Sequence, residues 1–422
     1  MAGVTTPATA LLAEISDVGV DPRRGGWSRH VFDDAERTLR EWFTERALRL
    51  GLRVETDRNT NLWAWWGEPG PGAIVTGSHL DSVPGGGAYD GPLGVATALE
   101  AVGRMRAAGV VPSRPIAVVV FAEEEGSRFG VACLGSRLLT GTIDPARALA
   151  LTDTDGTTFG DALRGAGIER TGVEYEGIGR DDAALERIGC FVELHVEQGR
   201  GLIDLDQPVA VASSILEHGR WRIDVRGRGD HAGTTAIADR HDPMLPAATA
   251  VLAARGGALR LGGRATIGRL HAIPGGTNVI PSRVSAWLDV RANSEADTRA
   301  IVEDVRADVA AAAAAEGCEA SVIEESYSAE VRFDPQLRER LADLLDAPVL
   351  PTGAGHDAGV LAARVPTAML FVRNPSGVSH APEEGATDAD VAAGADALTR
   401  VLTELAGTRD GTGDGAQEGA RA

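Results

Sequence analysis

Five residues carry imidazoles or carboxylates at points where an apolar run gives way to a loop. They are His79 and Asp90 in TGSHLDSVPGGGAYDG, Glu125 in FAEEEGSRFG, His195 in ELHVEQG and His380 in GVSHAP. A set of N and O ligands without cysteine suits a two-metal hydrolytic centre, which activates water at neutral pH with no protein nucleophile. Asp90 follows a glycine stretch that lets the chain fold back, and its two oxygens could bridge two ions. Asp81 could accept the proton of the second ring nitrogen of His79 and fix its tautomer. Three successive carboxylates, Glu123 to Glu125, would repel one another unless cations neutralise them. One could bind metal while its neighbour serves as general base. Taken singly, each fragment has a plainer reading: a polar turn, a solvated acidic loop, or a satisfied structural histidine. The case rests on their occurring together.

These side chains need elements to hold them. Asp33 to Leu50 has helical apolar spacing, with Gly51 as a stop. NLWAWW reads as a strand, AIVTGSHLD as a buried strand running into the glycine loop, LGVATALEAVGRMRAAG as a helix and PIAVVVFAEEEG as the next strand. Such alternation predicts an α/β domain with a mixed, largely parallel sheet flanked by helices, whose functional groups collect at the carboxyl ends of strands. After Ser214 the texture changes. WRIDVRGRG, an Ala-rich helix from Pro243 to Arg255, ATIGRLHAI, VSAWLDVRA, a helix from Glu295 to Glu316 and EASVIEESYS give a β-α-β-β-α-β order. That order predicts an inserted α+β, ferredoxin-like domain. From Arg332 the α/β texture returns and carries His380. The expected organisation is a discontinuous first domain over 1–213 and 329–407, an insert over 214–328, and a disordered polar tail over 408–422.

Other motifs offer substrate contacts. DHAGTT places His231 where it could polarise a carbonyl or hold an oxyanion. PGGTNVIPSR gives Asn278 in a turn, and WLDVRA gives Arg291 at a strand end, where a guanidinium can grip a carboxylate. GAGHDAG sets His356 beside glycines that would let backbone N–H groups approach a ligand. A phosphate-loop reading of that segment is weak, because no strand is expected directly before it.

Composition removes other classes. A net charge of -20 argues against nucleic acid or an anionic membrane as partner. No run of apolar residues is long enough to span a bilayer, and no signal peptide is expected. Three scattered cysteines, Cys133, Cys190 and Cys318, cannot form a disulfide framework and fit a reducing cytoplasm.

With these motifs in place, the chain resembles the hydantoinase/carbamoylase branch of the metal-dependent aminoacylase and carboxypeptidase superfamily. GSHLDSVPGGGAYDG, EEEGSRF, ELHVEQG, HAGTT, NVIPSR, GAGHDA and SHAPEE fall in the family's order. The resemblance implies two divalent ions per subunit (Zn, Mn, Co or Ni), held by His79, His195, Glu125 and His380 and bridged by Asp90, with Glu124 as general base. It implies that Gln198 meets the ureido end, that His231, Asn278 and Arg291 hold substrate, that Arg240 is a further anion contact, and that Gly355 and His356 line the pocket. It also implies a homodimer formed through the insert, which would act as a lid and carry His231 and Asn278 to the partner's active site. The implied substrates are N-carbamoyl-L-amino acids or allantoate, cleaved to ammonia and carbon dioxide. Two departures bear on substrate identity: Ala236 stands where relatives often have proline, and Glu123 where they often have a neutral residue. The rivals are an aminoacylase or dipeptidase with the same metals, a non-catalytic dimeric scaffold, and a small-molecule binding protein.

Overall fold

The computed structural model describes residues 6–166 and 177–408. The chain divides into two compact units, 1–213 with 332–422, and 214–331. Residues 329–331 thus fall with the second unit. Most of the tail expected to be disordered, 409–422, lies outside the described residues.

Six strands come from the first half of the chain: β1 (Arg53–Thr56), β2 (Leu62–Trp66), β3 (Ala73–His79), β4 (Ile116–Phe121), β5 (Ile188–Val196) and β6 (Val209–Ile215). The middle supplies β7 (His218–Arg226), β8 (Asp230–His231), β9 (Arg264–Ile273), β10 (Val279–Ile280), β11 (Arg283–Arg291) and β12 (Glu319–Ser328). The last part adds β13 (Val331–Arg332), β14 (Val349–Thr352) and β15 (Thr367–Val372).

The large sheet runs β1-β2-β4-β3-β5-β15-β6-β13, with β14 also beside β6. Its centre, β4-β3-β5-β15, is parallel, and β1, β2 and β6 join it by antiparallel pairings. All seven residues of β3 are buried, as are all six of β4 and of β15, which is why they read as continuous apolar runs without alternation. Gly77 in β3 has φ +146°, and a Cβ there would collide with the Val119 carbonyl of β4, so only glycine lets the two backbones approach. The helix Pro92–Ala107 starts two residues after Asp90, with proline in its first turn. It packs against β3, β5 and the terminal helix Asp388–Ala406 in one continuous core. The expected helix after Asp33 spans Asp34–Arg49. Asp33 caps it by accepting the Glu36 N–H, and Gly51 follows at φ +70°.

The second unit has a four-stranded antiparallel sheet ordered β12-β7-β11-β9. Helices Met244–Leu261 and Glu295–Ala315 pack on each other and, with Trp221, Ile223, Leu288 and Val290 from the strands, close its core. One expectation fails. A strand, β14, does run directly into GAGHDAG. Its sequence, VLPT, contains a proline and too short an apolar pattern to announce itself, but β14 lies at the sheet's margin, where proline is tolerated.

Candidate metal centre

The four parallel strands deliver their chemistry at their carboxyl ends, where α/β sheets gather ligands. β3 ends at His79, β4 leads into Glu123–Glu125, β5 carries His195, and the loop after β15 carries His380. Asp90 stands at the middle. Its Oδ1 lies 3.6 Å from His79 Nε2 and 3.2 Å from His195 Nε2, while its Oδ2 lies 3.4 Å from His380 Nε2. His380 Nε2 is also 3.4 Å from Glu125 Oε2. Two ligand groups therefore share Asp90: His79 with His195, and Glu125 with His380. His380 has φ +58°, a backbone state rare outside glycine.

Both His79 Nε2 and His195 Nε2 are buried without a hydrogen-bond partner. Buried polar atoms are normally satisfied, so two orphan imidazole nitrogens facing one carboxylate oxygen fit a cation between them. Their other nitrogens are fixed by backbone carbonyls. His79 Nδ1 lies 3.0 Å from the Asp81 carbonyl oxygen and His195 Nδ1 3.0 Å from that of Val196. The tautomer-fixing role expected of the Asp81 side chain thus belongs to its main chain. The carboxylate, 3.7 Å from Nδ1, instead accepts the N–H groups of Glu124 and Glu125 at 3.1 Å each. It ties the β3 loop to the β4 loop.

Electrostatics at the site follow from burial. Desolvation, reinforced by Asp357, Glu125 and Asp81 against the pull of His79, pushes Glu124 well above the carboxylate range. Glu125 is raised by burial and by Asp90. Burial also disfavours the charge on Asp90, but the imidazoles of His195 and His79 outweigh it and hold Asp90 well below its ordinary value. Burial works against charge on His79 too, yet Glu124, Asp90 and Asp81 raise it. Glu123 is pushed up to about 8 by burial and by Asp81. Excess buried negative charge of this kind is what bound cations relieve.

Glu124 Oε2 is 3.7 Å from His79 Nε2, and its Oε1 accepts the Cys133 thiol at 3.3 Å. Gln198 is in the centre too, and its amide donates to Asp90 Oδ2 at 2.9 Å and to Ser379 Oγ at 3.0 Å. The buried His356 ring lies 4.5 Å from that of His195, and burial with His195 nearby holds it well below the usual histidine value. Gly355 is exposed beside it. The sequence reading missed three residues. Glu193, fully buried, accepts Ser78 Oγ and the Ala358 N–H. Cys133 was set aside as a buried thiol. Glu384 reaches back from the His380 loop to the Asp90 loop, and the acidic end of SHAPEE was its only signal.

The substrate candidates of the second unit fall into two places. β8 pairs with β10, setting His231 opposite Val279, and the Ala232 N–H donates to the Asn278 carbonyl. His231 and Asn278 are thereby neighbours, and both are exposed. Arg240 braces the same loop, donating to the carbonyls of Thr235 and Ala232 at 3.2 and 2.6 Å. Two of its guanidinium nitrogens thus support HAGTT. Arg291 lies elsewhere, at the far end of β11 from Arg283, with its Nε on Asp289 at 3.0 Å.

Residues 75–404 match the peptidase family M20/M25/M40. The chain is 37% identical to an N-carbamoyl-L-amino acid amidohydrolase of Geobacillus stearothermophilus, across 94% of this chain and 97% of that one. It is 30% identical to the allantoate amidohydrolase of Escherichia coli, across 93% and 96%. Among solved structures, a hydantoinase/carbamoylase family amidase from Burkholderia vietnamiensis superposes with a TM-score of 0.83 at 30% identity, covering 96% of this chain and 99% of that one.

Proposed function

Given that this chain belongs to the peptidase family M20/M25/M40 and is a hydrolase of amide or ureido bonds, we propose that it cleaves the carbamoyl C–N bond of an N-carbamoyl-L-amino acid or of allantoate. The observation that carries this reading is the central carboxylate: one Asp90 oxygen faces His79 and His195, the other faces His380. Two divalent ions held by these residues and Glu125 would supply a water of lowered pKa and a polarised carbonyl. The protein's own groups do the rest. Glu124 takes the proton of the attacking water and delivers it to the leaving nitrogen. In this reading Gln198 orients the ureido end, His231 holds the oxyanion, and Arg291 grips the substrate carboxylate.

This reading needs two copies of the chain. β11 separates Arg283 from Arg291 by ~26 Å at about 3.3 Å per residue, and His231 and Asn278 lie beyond its Arg283 end. Arg291 and the His231–Asn278 pair of one chain are too far apart to hold one small substrate, so we assign them to opposite subunits of a homodimer. Support for the dimer comes from the helix Met244–Leu261. Leu245, Leu252 and Leu259 recur every seventh residue and stand 51, 72 and 74% exposed, a stripe that a second copy would cover. We read the second unit as both lid and dimerisation module, and the protein as cytoplasmic.

The test is turnover. Metal-loaded protein should release ammonia from N-carbamoyl-L-amino acids or allantoate and leave N-acyl amino acids intact. Cleavage of acyl amino acids without ammonia would favour the aminoacylase reading, and saturable binding without turnover would favour a binding protein.

A further inference from the structure

The motif SHAPEE supplies one expected ligand, His380, and the glycine loop VPGGGAYDG supplies another, Asp90. They lie far apart in sequence; Gln198 bridges them from the site side, and Glu384 joins their backbones from behind. Glu384 is only 5% exposed. Its Oε1 accepts the N–H of Tyr89 at 3.2 Å and that of Asp90 at 3.0 Å. The glycine loop is shaped around this carboxylate. A Cβ on Gly87 would find Glu384 atoms as its three nearest neighbours, with the Glu384 Cβ and Cδ at 2.5 Å. Gly87 carries no left-handed φ, so what bars a larger residue there is the Glu384 side chain and not the backbone conformation.

We infer that Glu384 is the positioning residue of the shared carboxylate. It holds the Asp90 peptide so that the two oxygens face different histidines, and, four residues after His380, it fixes the separation of the two ligand loops. Burial makes this clamp stiff, because its N–H partners have no water to turn to. Groups that orient ligands from behind matter to metal affinity almost as much as the ligands themselves. The ion most dependent on the clamp is the one between Asp90, Glu125 and His380, since Glu384 sits on the loops that carry two of those three ligands.

This inference rests on the dinuclear reading above, and the experiment separates the two. Metal-stripped full-length chains are titrated with Zn²⁺ alone by calorimetry, with no substrate present. Wild type should take up two ions. Glu384→Ala should weaken one of them by about tenfold or more while the other holds, the range found for such outer contacts. Glu384→Gln keeps an acceptor oxygen for the two N–H groups and should stay near wild type. Gly87→Ala should push Glu384 aside and weaken the same ion, but it should add little in a Glu384→Gly background, which removes the obstructing Cβ together with the carboxylate. Two ions bound by Glu384→Ala as tightly as by wild type would overturn the inference and leave the dinuclear reading intact. So would a full additive effect of Gly87→Ala on top of Glu384→Gly. A wild-type chain that binds no Zn²⁺ would overturn both. Should Glu384→Ala fail to fold, Glu384→Gln at wild-type affinity and Gly87→Ala weakened are still required.

Discussion

The first unit buries most of its chemistry, the exposed His380 excepted, and the second exposes it. His79, Asp90 and His195 are at most 3% accessible and meet at the ends of strands with no exposed residue in their spans. His231 sits in the open on a two-residue strand, and Asn278 in the turn just before another. The difference follows from what each region would bind. A cation must be held by ligands that cannot move, and burial in a close-packed sheet supplies that rigidity and a low dielectric. A substrate must enter and leave, so groups that meet it late can lie on exposed loops. Arg240 shows the cost of exposure: two of its guanidinium nitrogens are spent bracing the HAGTT loop.

The strongest way to break this contrast is at the buried end. His79→Ala should abolish both metal loading and turnover, read by elemental analysis and ammonia release. Retained metal would mean that the buried set is not the metal centre. Glu124→Gln should keep its metal and lose kcat by about 10²–10⁴-fold, the usual worth of a general base. At the exposed end the test is complementation. Arg291→Ala and His231→Ala homodimers should each be poor enzymes, Arg291→Ala chiefly through a raised KM. A mixture of the two refolded together should recover activity, because mixed dimers contain one site with both groups intact. Without recovery, the assignment of these residues to opposite subunits fails. The smallest effect concerns the leucine stripe. Leu252→Glu with Leu259→Glu should give a monomer on sedimentation with its melting temperature within a few degrees of wild type, since both side chains are already in solvent.

How much of this could be read from the chain depended on range. The buried strands announced themselves as AIVTGSH and IAVVVF, because a strand covered on both faces needs no polar position. The helix after Asp33 was legible because its cap and its stop are local. β14 was not, since four residues with a proline make no periodic signal and its pairing is with the distant β6. Asp81 was singled out for the right neighbourhood with the wrong atom. Its carboxylate and its carbonyl both lie near His79, and only the turn of the backbone decides which one faces Nδ1. Glu384 was invisible as a partner of Asp90, because nothing in a one-dimensional string marks a hydrogen bond across 294 positions.

By itself the sequence determined which atoms are available for chemistry and which strands carry them, since ligand type is a property of the residue and burial of a strand is written in its run of apolar neighbours. Tertiary structure alone decided how those atoms are shared. That Asp90 faces three histidines with two oxygens, and that Arg291 stands at one end of the four-stranded sheet while His231 lies on a separate strand pair beyond the other, depend on where distant backbones come to rest. Distances of a few ångströms between remote segments are fixed by packing across the whole core, and no local pattern encodes them.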